Sequence, residues 1–156
     1  MALCCSSSGG AGGSSADLRA VAQLPPDEAL TTRLGLMDNR WTSLDDVPEP
    51  MRPWFAERAK RAEALDDEAK AGARRQILAR AGHDTYERLA DVQHRTLVAG
   101  GLYDGQAPPK NQEAIAAQMP NTQLRLFDGG HLFLIQDPTA WPAIIEFLNA
   151  DDAETS

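Results

Sequence analysis

At 156 residues, with a hydrophobic fraction of 42%, the chain is long enough for one ordinary domain and apolar enough for a packed core. It carries 15 basic and 23 acidic residues, a net charge of −8, so it has no general attraction for nucleic-acid phosphates or anionic lipid. No apolar run approaches the ~18 residues of a membrane span, and the opening MALCC lacks the basic segment and long apolar run of a signal peptide. The two cysteines, Cys4 and Cys5, are adjacent and poorly placed to bridge each other, which fits a reducing, cytoplasmic location.

Residues 2–5 are apolar and run into SSSGGAGGSS, which reads either as a flexible linker or as a buried strand emerging into a Gly-rich loop. Residues 16–90 read mostly as helices. Ser15 is the expected N-cap of the first, with Leu18, Val21 and Ala22 at helical spacing. PPDEALTTRLGLM follows, with Leu30, Leu34 and Met37 as its apolar stripe. NRWTSLDDVPEP reads as a connecting loop. MRPWFAERAKRAEAL and DDEAKAGARRQILARAG are two charge-rich helices, and Gly82 is the expected C′ residue of the second.

The period then changes. Thr96–Gly100 is a short β-rich run; Pro108-Pro109 opens a helix to about Met119, and Gln123–Phe127 is a further strand. Pro138 opens a last helix whose Trp141, Ile144, Ile145 and Leu148 follow i, i+3, i+4, i+7. The polar DDAETS end, 151–156, is expected to be a frayed, disordered tail. Strand–helix–strand–helix after a helical block predicts an α/β fold with parallel strands and crossover helices.

Two residues stand where open α/β sheets place ligands, at the carboxyl ends of parallel strands: Asp104 after the first and His131 after the second. Their separation of 27 residues suits a crossover helix between the two strands. The plainer reading of Asp104 is an Asp-Gly turn, and of His131 a loop histidine bonded to backbone. Asp128 competes for the acid role but stands three residues before His131, where it shapes the loop. His83 and Asp84 read as a helix-terminal polar pair and His94 as a surface residue. Three histidines without clustered Cys, His or Glu spacing give no expectation of a metal site, and no cofactor is implied.

TLVAGGLYDG and LRLFDGGHLFLIQDPTAWPAIIEFL resemble the last two strands, histidine loop and final helix of the α/β-hydrolase superfamily. LMDNRW and GHDTYERL resemble pieces of the helical lid of its lactonase and esterase members, including enol-lactonase-like enzymes, and ALCCSSSGG the strand ahead of that lid. The resemblance implies the C-terminal half of the fold: strand and Gly/Ser-rich loop at 1–15, lid at 16–90, core strands and helices at 91–150. It implies that Asp104 and His131 are the acid and base of a catalytic triad acting on an ester, lactone or related small-molecule carbonyl substrate. Trp41, Trp54 and Leu132, with Leu36 and Met37, would then line an apolar substrate pocket, although lid-core packing explains each tryptophan alone.

The departure from the family is the nucleophile. Its G-x-S-x-G elbow precedes the acid and histidine in chain order and leads into a helix. Ser6-Ser7-Ser8-Gly9-Gly10 approximates the motif, and Cys5 could serve by the same logic, but GAGGSS is a poor helix start. The expectation is a chain without the nucleophile-bearing half. The strand at 2–5 would then leave an open apolar edge, available to a second copy or to the missing N-terminal half. The alternative is a catalytically inactive remnant or partner-binding half-domain.

Overall fold

The computed structural model describes residues 1–150; the expected tail at 151–156 lies outside them. Three parallel strands form one sheet in the order β1 (Ala2–Cys4), β2 (Thr96–Gly101), β3 (Thr122–Phe127). All six residues of β2 are buried, because both of its edges are paired and both of its faces are covered. Such a strand reads as a continuous apolar run, as TLVAGG does.

Side-chain alternation divides the core into two layers. On one face Leu97, Ala99 and Phe127 pack with Phe133 and with α7 (Ala140–Asn149), joined at the margin by Ala2, Cys4 and Cys5. On the other, Val98 meets Ile115 and Met119 at the end of the crossover helix α5 (Pro109–Gln118), with Leu3 beside them. The result is a mixed α/β fold with a small parallel sheet and crossover helices, as the element order predicts.

The stretch between β1 and β2 is largely helical. It contains α1 (Leu18–Val21), α2 (Pro26–Met37), α3 (Arg52–Glu63) and α4 (Asp67–Ala81). Its core is small: Leu34, Trp41 and Val47, with Met37, Met51 and Phe55 packed around them.

Several local expectations change. Asp17, not Ser15, caps α1, accepting the Arg19 and Ala20 N–H groups, while the Ser15 hydroxyl pairs with Ser7 at 2.6 Å. The 38–51 loop contains two 3₁₀ turns, Leu44–Asp46 and Glu49–Met51. Gly82 ends α4 with φ −99°, so no left-handed cap forms. A single helical turn, α6 (Phe133–Gln136), precedes the last helix, which starts at Ala140 rather than Pro138.

Two apolar stripes are oriented differently from expectation. In α2, Leu34 is buried but Leu30 is 46% exposed, and Ala29 takes the inward position. In α7, Ala140, Ala143, Ile144 and Phe147 face the sheet, leaving Trp141, Ile145 and Leu148 about half exposed. That helix is apolar on two flanks, and periodicity alone cannot choose between them.

Truncating the two α2 leucines separates these environments. Leu34→Ala is expected to cost about 2–5 kcal/mol, whereas Leu30→Ala stays within about 0.5 kcal/mol of the parent. Urea denaturation of the two variants measures the difference, and equal losses would contradict the inward face assigned to α2.

Candidate functional site

The register of β2 and β3 assembles the site. Gly101 stands opposite Phe127 at the carboxyl ends of the two strands. Asp104 follows the first by three residues and His131 follows the second by four. The loops must approach closely: a Cβ on Gly101 would collide with the carbonyl oxygens of Gly129 and Gly130, and one on Gly130 with that of Met37. The glycines therefore allow the acid and histidine loops to meet.

His131 Nδ1 lies 2.9 Å from Asp104 Oδ2. Asp104 is 1% exposed, and its other oxygen accepts the backbone N–H groups of Gln106 and Ala107 at 2.8 and 2.7 Å. The carboxylate is thus fixed by its own loop and directs its remaining lone pairs at the imidazole. An acceptor at Nδ1 places the ring proton there and leaves Nε2 with a lone pair. The Gln106 side-chain amide fills the position facing that lone pair, with its nitrogen 2.8 Å from His131 Nε2. It stands where a hydroxyl or thiol nucleophile would donate.

The histidine is also held from the helical segment. Its backbone N–H donates to the Met37 carbonyl at 2.6 Å. Beside that contact, buried Asp38 pairs with Arg40 through two side-chain bonds at 2.6 and 2.8 Å, and Gln136 donates to the same carboxylate at 2.8 Å. Arg40 reaches onward to Asp128 at 2.9 Å and lies 3.8 Å from the Tyr103 ring centroid. Asp128 therefore braces the histidine loop, as its position in the sequence suggests. Burial opposes the charge on Asp38, but the hydrogen bonds from Arg40 and Gln136 and the guanidinium charge outweigh it and hold the carboxyl below its usual range.

Cys5 completes the cluster. It leaves β1 with φ 48°, a left-handed conformation uncommon outside glycine, and its thiol donates to the His131 carbonyl at 3.4 Å. Burial first, and then the Asp104 carboxylate beside it, push the thiol pKa up. A thiol held protonated in this way is a poor nucleophile, which weighs against Cys5 in that role. Even so, Cys5, Asp104 and His131 offer donor atoms that all lie within 4.8 Å of one another. Counting neighbours along the chain misses this grouping, because its members come from three separate loops.

The expected pocket residues are more dispersed. Trp41 is 5% exposed, packed edge-on to Phe55 within the helical core and away from open space. Trp54 is 43% exposed, with Arg58 5.5 Å from its ring centroid. Leu132 is partly exposed next to His131. A cleft of 230 Å³ lies between the Gly/Ser loop, α1 and the end of α4, lined by Ser7, Ser14, Arg19, Ile77 and His83, and includes neither Asp104 nor His131. The Ser6–Gly10 stretch turns through Gly9 and Gly10 at positive φ into a 3₁₀ turn, Gly10–Gly12, so no helix follows it as an elbow requires.

No protein-family model matches the chain. It is 38% identical over 77 residues to a poly(3-hydroxyalkanoate) depolymerase of Ectopseudomonas oleovorans, a match covering 49% of this chain and 27% of the depolymerase. Among solved structures it superposes on a hydrolase from Pseudomonas aeruginosa with TM-score 0.68 and 24% identity, over 96% of this chain and 55% of the other. An α/β-hydrolase enzyme from a Medee basin deep-sea metagenome library gives 0.65 and 16%, over 97% and 56%. A meta-cleavage product hydrolase from Pseudomonas fluorescens gives 0.60 and 17%, over 96% and 55%. The chain shares an α/β-hydrolase fold with these structures and spans about half their length.

The Asp38 cluster carries a pH signature. Its folded-state pKa lies below the unfolded value of about 3.9. The stability it contributes is therefore complete above that value and is lost as pH falls through the folded one. Asp38→Asn is expected to melt below the parent at pH 6, with the gap narrowing as the pH falls toward 3. Calorimetry across that range measures it, and a gap that widens in acid would refute the assignment.

Proposed function

We propose that Asp104 and His131 are the acid and base of a hydrolase acting on an ester, lactone or related small-molecule carbonyl compound, with the nucleophile supplied by polypeptide outside this sequence. The observation that carries the reading is the 2.9 Å contact between a buried, backbone-braced carboxylate and a histidine at the ends of adjacent parallel strands. His131 Nε2 accepts the nucleophile's proton as it attacks the carbonyl carbon, then delivers it to the leaving group. Water cleaves the acyl-enzyme by the same route in reverse roles. Asp104 stays ionised, holding the tautomer and stabilising the imidazolium. Gln106 has to yield its place at Nε2 when the nucleophile occupies the site.

Similarity to a depolymerase of a polyester favours an oxygen ester over a carbon–carbon bond as the scissile link. In this reading residues 16–90 form the lid over the core at 91–150, and residues 1–15 the strand and loop that bridge them. Leu132 and Trp54 face substrate on its way in, and Trp41 sets the shape of the lid from within. The protein works in the cytoplasm, where Cys4 and Cys5 remain thiols.

A second reading is a partner-binding half-domain, either a homodimer or one half of a split hydrolase. It is favoured by the outer edge of β1, unpaired among the described residues, and by the half-exposed Trp141, Ile145 and Leu148.

The deciding experiment begins with the intact mass of the natural product and the coding sequence ahead of Met1. If these give a longer protein, its kcat/KM on short p-nitrophenyl esters should fall about 10³–10⁴-fold in His131→Ala and in Asp104→Asn, with melting temperature kept. Unchanged hydrolysis in both variants would refute the catalytic assignment. A natural product of this length, dimeric in sedimentation and made monomeric by Trp141→Glu, would establish the second reading instead.

A further inference from the structure

Cys5, Asp104 and His131 converge from the turn after β1, the loop after β2 and the loop after β3. One donor atom from each lies within 4.8 Å of the other two. A thiolate, an imidazole and a carboxylate form a donor mixture suited to tetrahedral zinc, which binds them at about 2.0–2.3 Å. Ligand atoms at that radius stand about 3.3–3.8 Å apart, so the cluster needs adjustments of up to about 1.5 Å. The supports for such a site are already present. Asp104 Oδ1 is fixed by the Gln106 and Ala107 N–H groups, leaving Oδ2 to bind, and the Gln106 amide opposite Nε2 has to turn its oxygen toward that nitrogen once it carries the proton.

We propose that Cys5, Asp104 and His131 form a binding site for one Zn²⁺ ion, with water as its fourth ligand, and that an occupied site is catalytically silent. Thiolate and carboxylate together neutralise the dication, and the Cys5 proton leaves to solvent. Nδ1, already turned toward Asp104, is the nitrogen that binds beside the carboxylate. Its proton then moves to Nε2, and the imidazole becomes a donor where the hydrolytic reaction needs an acceptor. Zinc thus competes directly with the acid–base pair. Only this consequence rests on the hydrolase reading; the metal site stands on the three side chains.

The test is titration of the metal-free chain with zinc chloride by calorimetry, and with Co²⁺ by absorption spectroscopy. Expected are one Zn²⁺ per chain and a near-ultraviolet sulfur-to-cobalt charge-transfer band. Cys5→Ser should abolish the band and weaken Zn²⁺ binding at least about tenfold, and His131→Ala should weaken it similarly. Cys4→Ser should leave both unchanged. Zinc affinity that survives Cys5→Ser undiminished would overturn the proposal. If that variant does not fold, the parent decides: cobalt bound without a sulfur band overturns the site, as does the absence of binding. These readouts need no substrate, so a negative result leaves the hydrolase reading intact, and an inactive full-length enzyme leaves the metal result intact.

Discussion

The site depends on the register of one strand pair. With Gly101 opposite Phe127, two short loops leave the sheet side by side, and their third and fourth residues are an aspartate and a histidine. A slip of one residue would turn the β2 side chains to the opposite faces of the sheet and separate the pair. Slippage is opposed by the core itself, since Leu97 and Ala99 belong to one layer and Val98 to the other. The same packing that holds the strands together therefore places a carboxylate 2.9 Å from an imidazole nitrogen.

That placement is reinforced from outside the sheet. The end of α2 supplies a carbonyl for the His131 N–H and then Asp38, whose 0% exposure demands full pairing of its charge. Arg40 and Gln136 provide that pairing, one from the helical segment and one from the turn after the histidine. An ion pair with one partner buried is weak evidence of stability gained, because desolvation of that partner offsets much of the attraction. What this one fixes is geometry: it ties the helical segment to the histidine loop beside His131.

The strands, the crossover helix and the places of Asp104 and His131 at the strand ends were legible in the sequence because each has a local mark. The run TLVAGG, the prolines before α5, the Asp-Gly pair and Gly-Gly-His can all be read within a few residues. The inward faces of α2 and α7 were not legible. AWPAIIEFLN carries apolar residues on two flanks, and only the sheet beneath selects Ala140, Ala143, Ile144 and Phe147 over Trp141, Ile145 and Leu148. Gln106 and Asp38 have no such mark, and Cys5 is legible only as a nucleophile candidate, for a different reason. Each reaches the site through tertiary placement, and no spacing relates position 5 or 38 to position 131. The one local signal is the position of Cys5 directly after an apolar strand.

The hydrogen bonds around His131 fix the order in which anything can happen there. Asp104 has no spare proton to donate while its oxygens accept from two backbone N–H groups and from Nδ1, so the ring proton stays on the Asp104 side. Nε2 is then obliged to accept, and Gln106 satisfies it with an amide N–H that cannot be given up to a base of this strength. The imidazole thus has its acceptor nitrogen covered by a group that can be displaced but not deprotonated. A hydroxyl arriving in that place would find the imidazole already in the tautomer that accepts its proton and would have to displace one neutral hydrogen bond. A cation arriving at Nδ1 would reverse the polarity of the ring. The two ligands act on opposite sides of one five-membered ring, and whichever binds first determines what the other nitrogen can do.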